Sequence, residues 1–129
     1  MAYTHNLDVG WSGSSQAPNN NRVSLTGDGE DNRQLSVANS VTDQLVNLAI
    51  DISQLKMFVL VSNAVVTIET NSSSAPQETF TLAAGVPVLW YTGCGYAVPF
   101  AGDVTKIYVT NASGGTATID IHILHDSTP

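Results

Sequence analysis

The sequence of 129 residues has few charged residues, little basic charge and a single cysteine. Lys and Arg together number 4 against 11 Asp and Glu, which gives a formal net charge of −7. A surface that binds nucleic acid or anionic membrane needs clustered Lys and Arg, so neither partner is predicted. Because Cys94 has no second cysteine to pair with, the intrachain disulfides of many small secreted domains are excluded.

Long apolar runs and a targeting signal are also missing. The first residues lack a basic region followed by an apolar run, and no apolar stretch approaches the length that spans a membrane. We therefore expect a soluble chain that is made in a cytoplasm. Without a secretory signal, the two glycosylation sequons, which begin at Asn71 and Asn111, are interpreted as ordinary turn sequences.

Charged residues make up only 12% of the chain, about half the usual share of roughly a quarter. Much of the surface must then consist of Ser, Thr, Asn and Gly. Such a surface has wide neutral areas that another protein can cover without removing water from ions.

What the sequence does contain is a series of short segments that alternate apolar and polar residues. In the clearest segment, Thr105–Asp126, alternation on both sides of Asn111–Gly115 predicts two strands joined as a β-hairpin. Met57–Ser62 is apolar on both faces and predicts a central strand that is covered on both sides. After Asp51, the segment Ser53–Lys56 predicts one helical turn.

Eight or nine such segments with no long helical period predict an all-β fold. Their number and unequal connections favour an antiparallel β-sandwich of the jelly-roll type with about eight strands. Ser12–Asn21 is too polar to bury apolar area and predicts a loop or linker. The predicted organisation is an N-terminal arm and linker over residues 1–21, followed by a β-sandwich domain over residues 22–129.

The sequence offers little for catalysis or metal binding. Its three histidines lie at no spacing that is typical of a metal site, and Cys94 has no neighbouring cation to activate its thiol. Asp28–Asn32 resembles the first half of a calcium loop, but the bidentate Glu that should follow is absent. We therefore predict no catalytic, metal or cofactor site, and no enzymatic activity.

The aromatic residues are the candidates for contact with a partner: Trp11, Trp90, Tyr91, Tyr96 and Phe100. Trp90 and Tyr91 are adjacent, so in a strand they must point to opposite faces. One is expected to fill the core and the other to face solvent, a neighbouring subunit or a sugar.

Several segments together resemble the small β-sandwich proteins of tailed-phage virions, especially capsid decoration, or cement, proteins. The resemblance rests on the polar arm with Trp11 and on the runs Phe80–Trp90, Asp103–Asn111 and Thr118–Leu124. It implies a non-enzymatic structural protein of the virion, made in the host cytoplasm. It further implies a homo-oligomer, commonly a trimer, that binds the major capsid protein on the outer capsid and has no catalytic residues.

Two other functions remain open at this stage. A carbohydrate-binding or adhesin-like module, including a tail or fibre component, would use Trp90 or Tyr91 as a platform for a sugar ring. An enzyme of the cupin type would need several metal ligands inside its barrel, whereas the histidines of this sequence lie near the chain ends.

Overall fold

The computed structural model describes residues 2–127, with the side chains of residues 16 and 18 excepted, and shows ten strands and no helix among them. Residue 1 of the predicted N-terminal arm and residues 128–129 of the predicted β-sandwich domain lie outside the described residues. The strands are β1 Tyr3–Gly13, β2 Gln16–Gly27, β3 Gly29–Val37, β4 Val41–Ile50, β5 Leu55–Ser62, β6 Val66–Thr70, β7 Thr79–Leu82, β8 Val88–Tyr91, β9 Val104–Asn111 and β10 Ala117–His125. No helix in this part of the chain is long and apolar enough to cross a membrane.

Eight strands form two packed antiparallel sheets, with the orders β3-β10-β5-β8 and β4-β9-β6-β7. The inward-facing residues of both sheets form one core, in which Phe58 of β5, Ile68 of β6 and Ile121 of β10 are almost completely buried. A cavity between the sheets measures only about 10 Å³ and is lined by apolar side chains and Thr70. The prediction of an all-β antiparallel sandwich is therefore confirmed.

The connections alternate between the two sheets. Of the seven connections from β3 to β10, only the one from β6 to β7 stays within a sheet. β5 is an inner strand between β10 and β8, as its apolar sequence predicts.

The predicted hairpin of β9 and β10 is wrong, because the two strands belong to different sheets. The turn between them carries the chain across the sandwich and is held by the Asn111 side chain, which is 0% exposed. Asn111 Nδ2 donates hydrogen bonds to the carbonyl oxygens of Val37 at 2.9 Å, Ala38 at 3.2 Å and Gly115 at 2.8 Å. Alternation predicts both strands, but it does not distinguish a hairpin from a crossing between sheets.

Asn71, the other sequon residue, also acts in a turn. It adopts a positive φ of 66°. Its Oδ1 accepts a hydrogen bond from the Thr105 N–H at 2.8 Å, and its Nδ2 donates to the Asp103 carbonyl at 2.9 Å. Interpreting both sequons as turn sequences is consistent with these contacts.

The predicted helical turn after Asp51 is a simple hydrogen-bonded turn and not a helix. The Gln54 N–H donates to the Asp51 carbonyl at 3.0 Å, and Asp51 Oδ1 accepts a hydrogen bond from the Ser53 N–H at 2.9 Å. The chain enters β5 at Leu55, which leaves no room for a second turn.

The predicted linker over Ser12–Asn21 is wrong, because most of it lies in strands. β1 and β2 form a two-stranded antiparallel ribbon whose turn is at Ser14 and Ser15. The boundary expected between residues 21 and 22 falls inside β2. Polar Asn and Ser residues can form a strand here because its partner β1 supplies the hydrogen bonds, and no core contact is needed.

Candidate functional site

The base of the ribbon packs on the outer face of the sheet β3-β10-β5-β8. Leu25, Met57 and Leu124 are buried there in a second apolar cluster, separate from the core of the sandwich. The partly buried side chains that pack against this cluster are Tyr3, Leu7, Val23, Val59 and Tyr91. This cluster explains why β5 is apolar on both faces: one face lines the core and the other supports the ribbon.

Polar contacts also fix the ribbon base. His5 Nε2 lies 2.7 Å from Glu30 Oε2, which links β1 to the edge strand β3. The Asp28 N–H donates to the carbonyl oxygen of His125 at 2.9 Å where β2 leads into β3. Gly27 lies so close to β10 that a Cβ atom there would collide with the same carbonyl oxygen.

Beyond the base the ribbon has no sheet beneath it. Within residues 8–22, every side chain that the structure describes is exposed. We call residues 9–21 the distal ribbon; it contains no charged residue. At its boundary Arg22 Nε donates to Asp8 Oδ1 at 2.6 Å, and this hydrogen bond lowers the pKa of Asp8. Because both side chains are well exposed, the ion pair contributes little to stability.

Trp11 is the predicted site residue that lies on the distal ribbon. Its side chain is 55% exposed, and its ring lies close to Gly13, two residues further along the same strand. Val9, two residues earlier on the same face, is 46% exposed. Trp11 therefore remains a candidate for contact with a partner.

Trp90 and Tyr91 point to opposite faces of β8, as predicted. Trp90 packs against the core of the sandwich, and its Nε1 donates to the Tyr96 carbonyl at 3.0 Å. Tyr91 packs against the second cluster below the ribbon. Both rings are partly covered by this chain itself, which leaves neither as an open platform.

Tyr96 and Phe100 differ in exposure. Tyr96 is 57% exposed, and its hydroxyl donates to the Leu89 carbonyl at 3.2 Å. Phe100 is only 5% exposed, and its ring centroid lies 5.0 Å from that of Phe58 and 5.8 Å from that of Phe80. Phe100 is thus a core residue, and its selection as an interface candidate is corrected.

An open groove lies beside the ribbon base and has a volume of about 450 Å³. Met57 and Val59 of β5 form its floor, and His5 and Leu7 of β1 form one wall. Across the groove His122 Nδ1 lies 3.0 Å from Asn32 Oδ1. The groove is the part of the sheet's outer face that the ribbon base leaves open.

The acidic side chains near the start of β3 are engaged by the protein itself. The backbone N–H of Ser127 donates to Asp28 Oδ1 at 2.9 Å, and hydrogen bonding by Ser127 lowers the pKa of Asp28. Arg33 Nε donates to Asp31 Oδ1 at 2.9 Å. Among residues 2–127 no group of three or more His, Cys, Asp or Glu side chains is arranged to hold a metal ion.

Cys94 lies in the loop after β8, half-buried, with Sγ 3.7 Å from the Tyr96 carbonyl oxygen. Burial raises the pKa of this thiol, but hydrogen bonds with the backbone at Tyr96 and Tyr91 lower it, and the net shift is downward. The sequence showed no local cause for such a shift, because it depends on the path of the loop backbone.

Sequence reasoning found Trp11 but missed the ribbon and the groove. Leu7, Val9 and Trp11 alternate along β1, and Val23 and Leu25 predict a short strand at the end of β2, but the polar residues 16–21 give no pattern that would pair the two strands. The groove is formed by residues of four strands that are distant in sequence, and no local pattern predicts it. Comparison with protein-family models, curated proteins and solved structures gave no match.

Proposed function

We propose that this chain is a non-enzymatic viral structural protein that binds the outer surface of a phage capsid and stabilises contacts between capsid proteins. In this proposal it is a component of the virion, its partner is the major capsid protein, and it acts as a homo-oligomer, with a trimer favoured. The sandwich is of the jelly-roll type, which the alternation of strands between the two sheets supports.

The observation that carries the proposal is the distal ribbon. It projects from a well-packed sandwich, has no charge, and carries Val9 and Trp11 exposed on one face. An isolated two-stranded ribbon is marginally stable in water, so a surface that covers it would add stability to both partners. The distal ribbon is therefore suited to act as a clasp, a segment that holds neighbouring proteins of an assembly together.

Exposed apolar side chains on the sandwich give further support. Leu45, Val65 and Val86 are each more than half exposed. Together with the low share of charged residues, they give surfaces that a second protein can cover at little desolvation cost. A protein that cements neighbouring subunits needs more than one such surface.

Binding to capsids tests the proposal. Empty capsids of the encoding phage, assembled without this chain, should bind it saturably in co-sedimentation, and bound capsids should disassemble at a higher temperature. The Leu45→Ala variant removes one exposed apolar side chain from β4. Its capsid binding, compared with that of the wild type, tests whether this face of the sandwich contacts the capsid. Absence of capsid binding, together with saturable sugar binding that is lost in Tyr96→Ala, would replace the proposal with a carbohydrate-binding module.

A further inference from the structure

The ribbon's inner face carries one continuous stripe that crosses the edge of the sheet below it. Residues at alternate positions of a strand share a face, so Tyr3, His5, Leu7, Val9 and Trp11 lie in a row on β1. The first three are partly buried at the ribbon base, whereas Val9 and Trp11 are 46% and 55% exposed. The inner half of the stripe packs on the sheet, and the outer half extends this same apolar surface beyond the sheet, where none of the described residues of this chain covers it.

The surface that suits this stripe is present on the same chain. Met57, Val59 and Leu124 on the outer face of the sheet already pack with the inner half of the stripe. The groove of about 450 Å³ beside them is open; in its apolar floor Val59 is partly exposed, whereas Met57 is only 4% exposed. This volume is ample for an indole ring, and the polar rim of Asn32 and His122 offers hydrogen-bonding groups to the indole N–H.

Within one chain the distal ribbon leads away from this groove, because the groove lies beside residues 5–7 at the ribbon base. Each copy therefore presents an uncovered apolar stripe and an open groove at different places. Charge does not oppose docking between copies through these parts. Two copies with a net charge of −7 each repel one another, but the distal ribbon that would make the contact has no charge.

We propose that the distal ribbon of one copy docks in the groove of a second copy, with Trp11 inserted over Met57 and Val59. The inference deepens the proposed function, on which it rests for the biological setting, by naming a second copy as the partner of the clasp. Because ribbon and groove are different surfaces, the contact is heterologous, and successive copies close into a ring or continue as a chain.

Self-association of the purified full chain tests the inference without any capsid. Light scattering after size exclusion should show a mass that rises with protein concentration. Trp11→Ala should weaken this association by about tenfold or more, as expected of a central aromatic anchor. Leu45→Ala, which removes a similarly exposed side chain from the other sheet, should leave it unchanged. A monomer at all concentrations, or association that Trp11→Ala does not weaken, would overturn the inference.

Cross-linking locates the contact. In a Cys94→Ser background that keeps Trp11, proteins that carry Val9→Cys and Val59→Cys should form a mixed disulfide-linked dimer under mild oxidation. The pair Val9→Cys and Leu45→Cys should not. Equal cross-linking of both pairs, or of neither, would contradict docking in the groove.

A capsid titration separates failure of the inference from failure of the proposed function. If the clasp holds a second copy, Trp11→Ala should keep wild-type affinity at the lowest occupancy and lose only the steepness of the binding curve. Weaker binding at the lowest occupancy would show that Trp11 contacts the capsid, which would overturn the second copy as partner and leave the proposed function standing.

Discussion

The side chain of Asn111 joins two parts of the sandwich that are distant in sequence. Its buried amide donates to the carbonyl oxygens of Val37 and Ala38 at the end of β3 and of Gly115 in the next turn, and its Oδ1 accepts a hydrogen bond from the Ser113 N–H at 3.1 Å. A buried backbone group that loses its partner costs about 1–3 kcal/mol. One side chain therefore satisfies several groups that water cannot reach.

Asn111→Ala should destabilise the protein strongly, because it leaves these backbone groups unsatisfied and opens a space at the corner. We expect a loss of about 2–4 kcal/mol in the free energy of unfolding. Urea denaturation measures it, with Asn47→Ala, an exposed residue of β4, as the matched control. A loss below about 0.5 kcal/mol, the usual range for surface substitutions, would show that the amide is not needed.

Predictions for single residues were correct where the geometry of one strand alone determines the direction of the side chain. The opposite orientations of Trp90 and Tyr91 follow from strand geometry alone. The burial of Phe100 could not be predicted in this way, because it depends on Phe58 and Phe80, which come from two other strands. Its loop sequence gives no periodicity that separates a core residue from an exposed one.

At the level of elements, the junction between ribbon and sandwich depends on Gly27. A Cβ atom at this position would collide with the His125 carbonyl oxygen and lie 2.9 Å from its carbonyl carbon. Both are backbone atoms of a strand that is paired on both sides, so they cannot move aside freely.

Gly27→Ala should therefore shift the ribbon base away from β10. We expect a loss of about 1–3 kcal/mol, typical of overpacking, measured by urea denaturation. Hydrogen exchange should also show faster exchange of backbone amides in β1 and β2. Gly115→Ala, where an added Cβ meets nothing within 4 Å, is the control. Unchanged stability and unchanged exchange would mean that the junction has room to adjust.

The strands of the sandwich were predicted better than their partners. Alternation reports which face of a segment is buried, and it predicted both β9 and β10. Pairing depends on contacts between distant residues, such as the 2.9 Å hydrogen bond from Gln34 Nε2 to Asp120 Oδ1 across 86 positions. A local pattern contains no information on such pairs.

At the level of the whole molecule, stability should depend on pH through His125. Burial lowers the pKa of this imidazole, and the opposing influence of Asp51, Asp31 and Asp28 is smaller. Its Nε2 is buried and has no hydrogen-bond partner within residues 2–127. The unfolded chain, with an ordinary histidine pKa of about 6.5, then binds a proton more readily than the folded protein does.

The free energy of unfolding should thus be greatest above about pH 6.5 and decrease as the pH falls from there towards the lower pKa of the folded state. Urea midpoints at about pH 7.5 and 5.5 measure this decrease. His125→Leu should reduce the difference between the two midpoints, whereas His122→Gln, on the exposed rim of the groove, should not. Equal pH dependence in His125→Leu and wild type would assign the effect to other groups.

The position of β10 in its sheet has a consequence for synthesis on the ribosome. β3 pairs only with β10, and β10 also separates β3 from β5 and supports the ribbon base through Leu124. While β10 is still unmade, β3 has no strand to pair with, and the apolar faces of the preceding strands remain open to solvent. The sheet that contains β3 cannot be completed until β10 has left the ribosome. Its completion depends on contacts of long sequence separation, which are slow to form and leave the chain open to aggregation in the meantime.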